Sequence, residues 1–180
     1  MKTLGELLET VAMDKAVGLL PVLGIEYDSR RVQPGSVFFA FSGSRKDGRE
    51  FAMEAVGKGA VAIVSESGAP PSFPAAWIQV EHGRRALAEM ARRFHDYPDR
   101  KIRLTGITGT NGKTTTAYVI DQCLRGLGHR TGMIGTIEYR VLDETRAAVN
   151  TTPESLDLAR IFADVAAGSG TARIGTRSRK

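Results

Sequence analysis

Short apolar runs and amphipathic stretches alternate along the 180 residues, and that alternation predicts an α/β protein. Thr3-Leu-Gly-Glu6 has the form of a capping box. Leu4, Leu7, Leu8 and Val11 follow at helical spacing, so a helix is expected through Met13 with those residues in the core. A short strand from Gly24 leads into a polar turn closed by Pro34-Gly35. Ser36–Phe41 and Val61–Val64 read as buried strands, with a helix from Arg49 to Gly59 between them. After a loop over 65–75, a strand is expected at Trp77–Val80. An amphipathic helix then covers Arg84–His95, with Leu87, Met90, Ala91 and Phe94 on one face.

Tyr97-Pro-Asp99 breaks the pattern, because a residue before proline is pushed out of the helical region. Beyond it, the run Ile102–Ile107 predicts a strand and Lys113–Arg125 a helix ending at Gly126 or Gly128. A further strand is expected at Thr131–Ile134, then a hairpin of Thr136–Val141 with Arg146–Val149. Thr152 and Pro153 suit the N-cap and first position of a helix reaching Ala166. Residues 168–180 carry no periodicity and are expected to be disordered. The expected organisation is a small mixed-sheet α/β domain over 1–98, the first part of a phosphate-loop α/β ATPase domain over 99–167, and the tail.

Composition leaves this picture in place and removes several functions. The hydrophobic fraction of 42% and charged fraction of 25% are those of a globular protein. No apolar run approaches the ~20 residues that cross a bilayer. Glu6 and Glu9 interrupt the apolar core a signal peptide would need, so a cytoplasmic location is expected. The single Cys123 excludes an internal disulfide and, lying near Ile120, Leu124 and Leu127, is expected in the core. The net charge of +5 falls to +1 over residues 1–167 once Arg173, Arg177, Arg179 and Lys180 are set aside, which argues against nucleic-acid binding. His82, His95 and His129 have no metal-ligand spacing, and Trp77 is expected to pack.

The candidate chemistry lies between the strand at 102–107 and the helix at 113. Gly109-Thr-Asn-Gly-Lys-Thr-Thr115 joins a strand to a helix N-terminus through glycines, the layout that cradles phosphates. Gly109 and Gly112 allow positive φ, so that backbone N–H groups can close on phosphate oxygens. Lys113 is expected to reach the outer phosphates of ATP, and the Thr114 hydroxyl to bind Mg2+. Thr110, Asn111 and Thr115 complete the loop. Ile107 stands where the general pattern has its first glycine, so the motif is a compact variant.

Asp28-Ser-Arg-Arg-Val-Gln-Pro-Gly-Ser-Val-Phe-Phe-Ala40 with Asp47-Gly48, the loop from Gly106 to Thr116, and Asn150-Thr-Thr-Pro-Glu-Ser155 together resemble the Mur ligase family. These are ATP-dependent enzymes of peptidoglycan synthesis. The resemblance covers residues from about 25 to 167 and implies that Ser29, Ser44, Arg45 and Lys46 meet the uridine nucleotide of a UDP-sugar. It implies that Asn150, Thr151 and Thr152 contact the muramyl-peptide. The third segment is similar to that of the member extending UDP-N-acetylmuramoyl-L-alanyl-D-glutamate with a diamino acid, diaminopimelate or lysine. The implied reaction passes through an acyl phosphate, with Lys113 as the charge-neutralising catalytic group. The family is well over twice as long, so a truncated chain that does not complete ligation alone is expected. Alternatives are a non-catalytic nucleotide-binding module, or a neighbouring ligase of the folylpolyglutamate or D-alanyl-D-alanine-adding type.

Overall fold

The computed structural model describes all residues except 10, 42–46, 136, 148–152, 169–171 and 177–180, and it divides into two units, Met1–Phe94 and His95–Lys180. No helix among the described residues is long and apolar enough to cross a membrane.

The first unit is built on a four-stranded parallel sheet in the order β3-β4-β5-β6, formed by Gly24–Glu26, Ser36–Ala40, Ala62–Ser65 and Ala76–Gln79. The two inner strands, β4 and β5, are buried throughout, as parallel strands covered on both faces require. Side chains alternate between faces. Phe38, Ala40 and Ile63 pack with Val32, Ala52 and Ala55, the last two from helix α3 (Ala52–Gly57). Helix α4 (Gly83–Phe94) packs against β4 and buries Leu87, Met90 and Ala91. The antiparallel component of this unit is a separate pair, β1 (Lys2–Thr3) with β2 (Pro21–Val22), so the expected mixture of orientations is divided between two sheets.

The N-terminal capping box forms, with Thr3 N donating to Glu6 Oε2 at 2.6 Å and Glu6 N donating to Thr3 Oγ1 at 3.4 Å. Its helix is shorter than expected. Helix α1 spans only Leu4–Leu7, and a second turn, α2, covers Lys15–Gly18. One turn already buries Leu4, Leu7 and Leu8. At Gly5 a Cβ would lie 3.1 Å from the Gly18 carbonyl oxygen, so the glycine that weakens the helix also lets the two segments cross closely.

The second unit holds a five-stranded sheet in the order β10-β9-β8-β11-β7. Strand β7 (Arg103–Ile107) feeds helix α5 (Lys113–Gly126), and β8 is Thr131–Ile134. The hairpin is β9 (Glu138–Val141) with β10 (Glu144–Ala147). Its second strand starts earlier than expected, at Glu144 and not Arg146, because the turn is only Leu142-Asp143, with Leu142 at φ 57. Helix α6 (Ser155–Ala167) packs on β9 and on the 3₁₀ turn Pro98–Arg100. Its N-cap is Glu154, whose carboxylate accepts from Ser155 N at 3.1 Å. Pro153 therefore precedes the helix, and the expected cap, Thr152, lies outside the described residues.

The C-terminal expectation is corrected most. Residues 172–176, placed by the sequence in a disordered tail, form strand β11 (Ala172–Thr176), parallel to β7 on one side and β8 on the other. A slot between two strands with unpaired ladders rewards any extended segment on both edges, whatever its propensity.

Candidate functional site

The phosphate loop is shaped by backbone geometry. Strand β7 ends at Ile107 and α5 begins at Lys113, with Gly112 as N-cap at φ 77 and ψ −6. No atom lies within 4 Å of where a Cβ on Gly112 would sit, so only the left-handed conformation calls for glycine there. Lys113 curls back over the loop, donating from Nζ to the Gly109 carbonyl at 2.7 Å and to that of Thr110 at 3.4 Å. Gly109, Thr110, Asn111, Gly112 and Thr115 are exposed, and Lys113 and Thr114 half-buried. The loop backbone is thus open to solvent, with the Lys113 side chain folded onto it.

Among the described residues no group of three or more His, Cys, Asp or Glu could hold a metal. Thr114 offers Mg2+ one oxygen. A single hydroxyl donor suits an ion that arrives with nucleotide phosphates and keeps its waters.

In the first unit a cleft of about 580 Å³ is lined by Tyr27, Asp28, Ser29, Arg30, Phe38, Phe41, Gly48, Phe51 and Glu54. Tyr27–Ser29 follow β3 and Phe41 follows β4, so the cleft opens at the carboxyl ends of parallel strands, where α/β sheets commonly bind ligands. Ser29 is buried; its Oγ donates to Glu54 Oε2 at 3.1 Å, and its carbonyl accepts from Lys58 Nζ at 3.0 Å. Lys58 also pairs with Glu54 at 2.7 Å, and these two hydrogen bonds, from Lys58 first and then Ser29, hold the Glu54 carboxyl below its ordinary range. Asp28 caps the turn Ser29–Arg31 by accepting from Arg30 N, and its carboxylate is bound by the Arg30 guanidinium at 2.7 Å, which lowers its pKa. Asp47 does the same for the next turn through Arg49.

Sequence reasoning reached Ser29 but missed Glu54, Lys58 and the aromatic walls. The i,i+4 spacing of Glu54 and Lys58 was the available signal. Ser44, Arg45 and Lys46, and Asn150, Thr151 and Thr152, lie outside the described residues. Cys123, expected in the core, is exposed. The inner face of α5 carries Ala117, Asp121 and Leu124, and Cys123 lies with Val119 and Leu127 on the outer one. Trp77 packs as expected, edge-on to Phe73, and donates from Nε1 to the Ser67 carbonyl at 2.9 Å.

A parallel α/β sheet with a ligand-sized cleft, and a second sheet feeding a glycine loop and lysine, are the layout of a phosphate-loop α/β protein. Family comparison makes this specific. The description "Mur ligase family, catalytic domain" matches residues 21–95, and "Mur ligase middle domain" matches residues 107–174. The chain belongs to the Mur ligase family, whose members are ATP-dependent ligases. The second match runs past Ala167, so the likeness continues into β11, beyond the point expected from sequence.

The UDP-N-acetylmuramoyl-L-alanyl-D-glutamate–2,6-diaminopimelate ligase of Solibacter usitatus is 57% identical over 172 residues, 93% of this chain and 35% of that protein. The ligase of the same name from Geobacillus kaustophilus is 48% identical over 141 residues, 78% of this chain and 28% of its own length. The chain therefore spans about a third of these relatives. A solved structure of a ligase of that name superposes with a TM-score of 0.76 at 25% identity, covering 99% of this chain and 36% of that one. The MurF ligase of Thermotoga maritima, solved in complex with ADP, superposes with a TM-score of 0.58 at 25% identity, covering 91% of this chain and 33% of that one.

Proposed function

We propose that this chain carries the two nucleotide-handling parts of a ligase that adds diaminopimelate to UDP-N-acetylmuramoyl-L-alanyl-D-glutamate in the cytoplasm. The observation carrying this reading is the pairing, in one chain, of the Ser29 cleft with the Lys113 loop. In the first unit, the aromatic walls accept a uracil ring and the Asp28–Ser29 turn offers polar groups to it. Ser44, Arg45 and Lys46 belong to the segment that follows Phe41 and are assigned to the same nucleotide.

In the second unit, Lys113 exchanges the Gly109 and Thr110 carbonyls for the β- and γ-phosphates of ATP, and the amides from Gly109 to Thr115 surround them. Mg2+ bound with the nucleotide supplies charge neutralisation at the γ-phosphate, with Thr114 as one ligand. Asn150, Thr151 and Thr152 hold the muramyl-peptide. Its terminal carboxylate attacks the γ-phosphorus of ATP, the bond to the β,γ-bridging oxygen breaks and ADP leaves. The amine of diaminopimelate then displaces inorganic phosphate from the acyl phosphate and gives up a proton to form the amide. Positioning and charge neutralisation are the protein's share of that chemistry.

The span of about a third of the relatives' length favours a second reading of the isolated chain, a binding module that does not turn over. Calorimetry with UDP-N-acetylmuramoyl-L-alanyl-D-glutamate and with ATP, separately, tests both readings. Each ligand should bind, and Lys113→Ala should remove ATP binding alone. Binding of neither ligand overturns the proposal. Tripeptide formation by the 180-residue chain overturns the non-catalytic reading.

A further inference from the structure

Ser29 is gripped twice, from α3 and from the residue that caps it. Its Oγ donates to Glu54 Oε2 at 3.1 Å, and its carbonyl accepts from Lys58 Nζ at 3.0 Å. The same ammonium donates to the other carboxylate oxygen, Glu54 Oε1, at 2.7 Å. Asp28 accepts from Arg30 N at 3.0 Å and so fixes the turn that Ser29 opens. Ser29 and Glu54 both line the cleft, together with the rings of Tyr27, Phe41 and Phe51.

These bonds decide the polarity of the hydroxyl. Lys58, the larger influence, and Ser29 hold the Glu54 carboxyl below its ordinary range, in its ionised form. An ionised carboxylate only accepts, whereas a serine hydroxyl has one proton and two lone pairs. The Ser29 proton is therefore committed to Glu54, and what the hydroxyl offers a ligand is a lone pair. Uracil carries one donor on its base, N3–H, between the O2 and O4 acceptors. Cytosine has a bare N3 at that place and would set lone pair against lone pair. A site built to bond an N–H rejects the analogue that lacks it.

We infer that Glu54 is a positioning residue: it fixes Ser29 Oγ as an acceptor for the uracil N3–H and so selects uracil over cytosine. This rests on the reading of the cleft as the uridine site.

The test is calorimetry of the 180-residue chain with UDP and with CDP, which carry the same diphosphate and differ at the base edge. Wild type should bind UDP about tenfold or more tighter than CDP, the cost of one mismatched hydrogen bond. In Glu54→Gln only the amide oxygen can accept from Lys58. That puts the amide N–H against Ser29 Oγ and turns the hydroxyl proton towards the ligand. The preference for UDP should then fall about fivefold or more, with CDP binding unchanged or tighter. Ser29→Ala removes the hydroxyl and should bring the two affinities within about twofold; it carries the test if thermal unfolding shows Glu54→Gln unfolded. Equal losses of UDP and CDP in Glu54→Gln would give Glu54 a structural role only. A preference retained in either variant would mean that the base is read elsewhere. Both results overturn the inference and leave the uridine reading standing. Wild type binding CDP as tightly as UDP, or more tightly, overturns the inference as well. If wild type binds neither, the uridine reading itself falls and the inference falls with it.

Discussion

Thr131 donates its hydroxyl to Asp121 Oδ1 at 2.5 Å, and both residues are wholly buried. The same carboxylate takes Arg140 Nη1 at 2.8 Å and Arg125 Nε at 3.2 Å, so helix α5 is tied to β8 and β9 through one acid. Arg140 continues to Glu138 at 3.1 Å, and Glu138 accepts from the Tyr118 hydroxyl at 2.7 Å, one and a half turns into the helix that follows the phosphate loop. That hydrogen bond favours the neutral phenol and raises the Tyr118 pKa.

Asp121→Ala strands two arginines and a buried hydroxyl. Complete burial of all partners would cost ~3–5 kcal/mol, but both guanidinium groups keep some solvent, so a loss of about 2–4 kcal/mol is expected. Asp121→Asn keeps an acceptor for Thr131 and should cost less. Denaturant unfolding of the three proteins ranks them, and an alanine variant as stable as wild type would show that the network contributes nothing net.

This acid shows where sequence reading stops. An aspartate in an amphipathic helix ordinarily marks the solvent face, and its buried status here depends on Thr131 and Arg140 arriving from later strands. Features with local causes were legible. The capping box at Thr3–Glu6, the strand Thr131–Ile134 and the loop leading into Lys113 each follow from neighbouring residues. Strand β11 was not legible, since Ala172-Arg-Ile-Gly-Thr176 has little strand character and is extended because β7 and β8 leave a place for it. Ser29 could be read as a ligand group, but its bond to Glu54, twenty-five residues away, could not.

Gly112 and Gly106 separate backbone need from space at the phosphate loop. Neither has an atom within 4 Å of where a Cβ would sit, but only Gly112 has positive φ. Gly112→Ala should cost about 1 kcal/mol of stability and weaken ATP binding, whereas Gly106→Ala should leave both nearly unchanged. Thermal unfolding and ATP titration decide it. Equal behaviour of the two variants would remove the conformational argument for Gly112.

Gly48 makes a steric prediction at the other cleft. A Cβ there would sit 2.6 Å from the Phe41 carbonyl oxygen and 2.8 Å from its amide nitrogen, both backbone atoms, and Gly48 N donates to that carbonyl at 2.7 Å. Gly48→Ala must therefore displace Phe41. Loss of uridine-nucleotide binding is expected together with a destabilisation of about 1–3 kcal/mol. Unaltered binding would mean that Phe41 is not part of the nucleotide site.

Glu54 gives the pH dependence. Its carboxyl is held below the ordinary glutamate range chiefly by Lys58 and then by Ser29. A depressed folded-state pKa means that the unfolded chain binds the proton more readily. The stabilisation is therefore fully present above the unfolded value, near ~4.3, and is lost as pH falls through the folded one. Glu54→Gln removes the titrating group. The unfolding midpoint of wild type should exceed that of Glu54→Gln at neutral pH, and the gap should close as pH is lowered below about 4. Thermal melts of the two proteins from neutral pH down to well below about pH 4 measure this directly. A gap that stays constant over that range would mean that the Ser29–Glu54–Lys58 cluster stabilises the cleft through packing, not through the charge on Glu54.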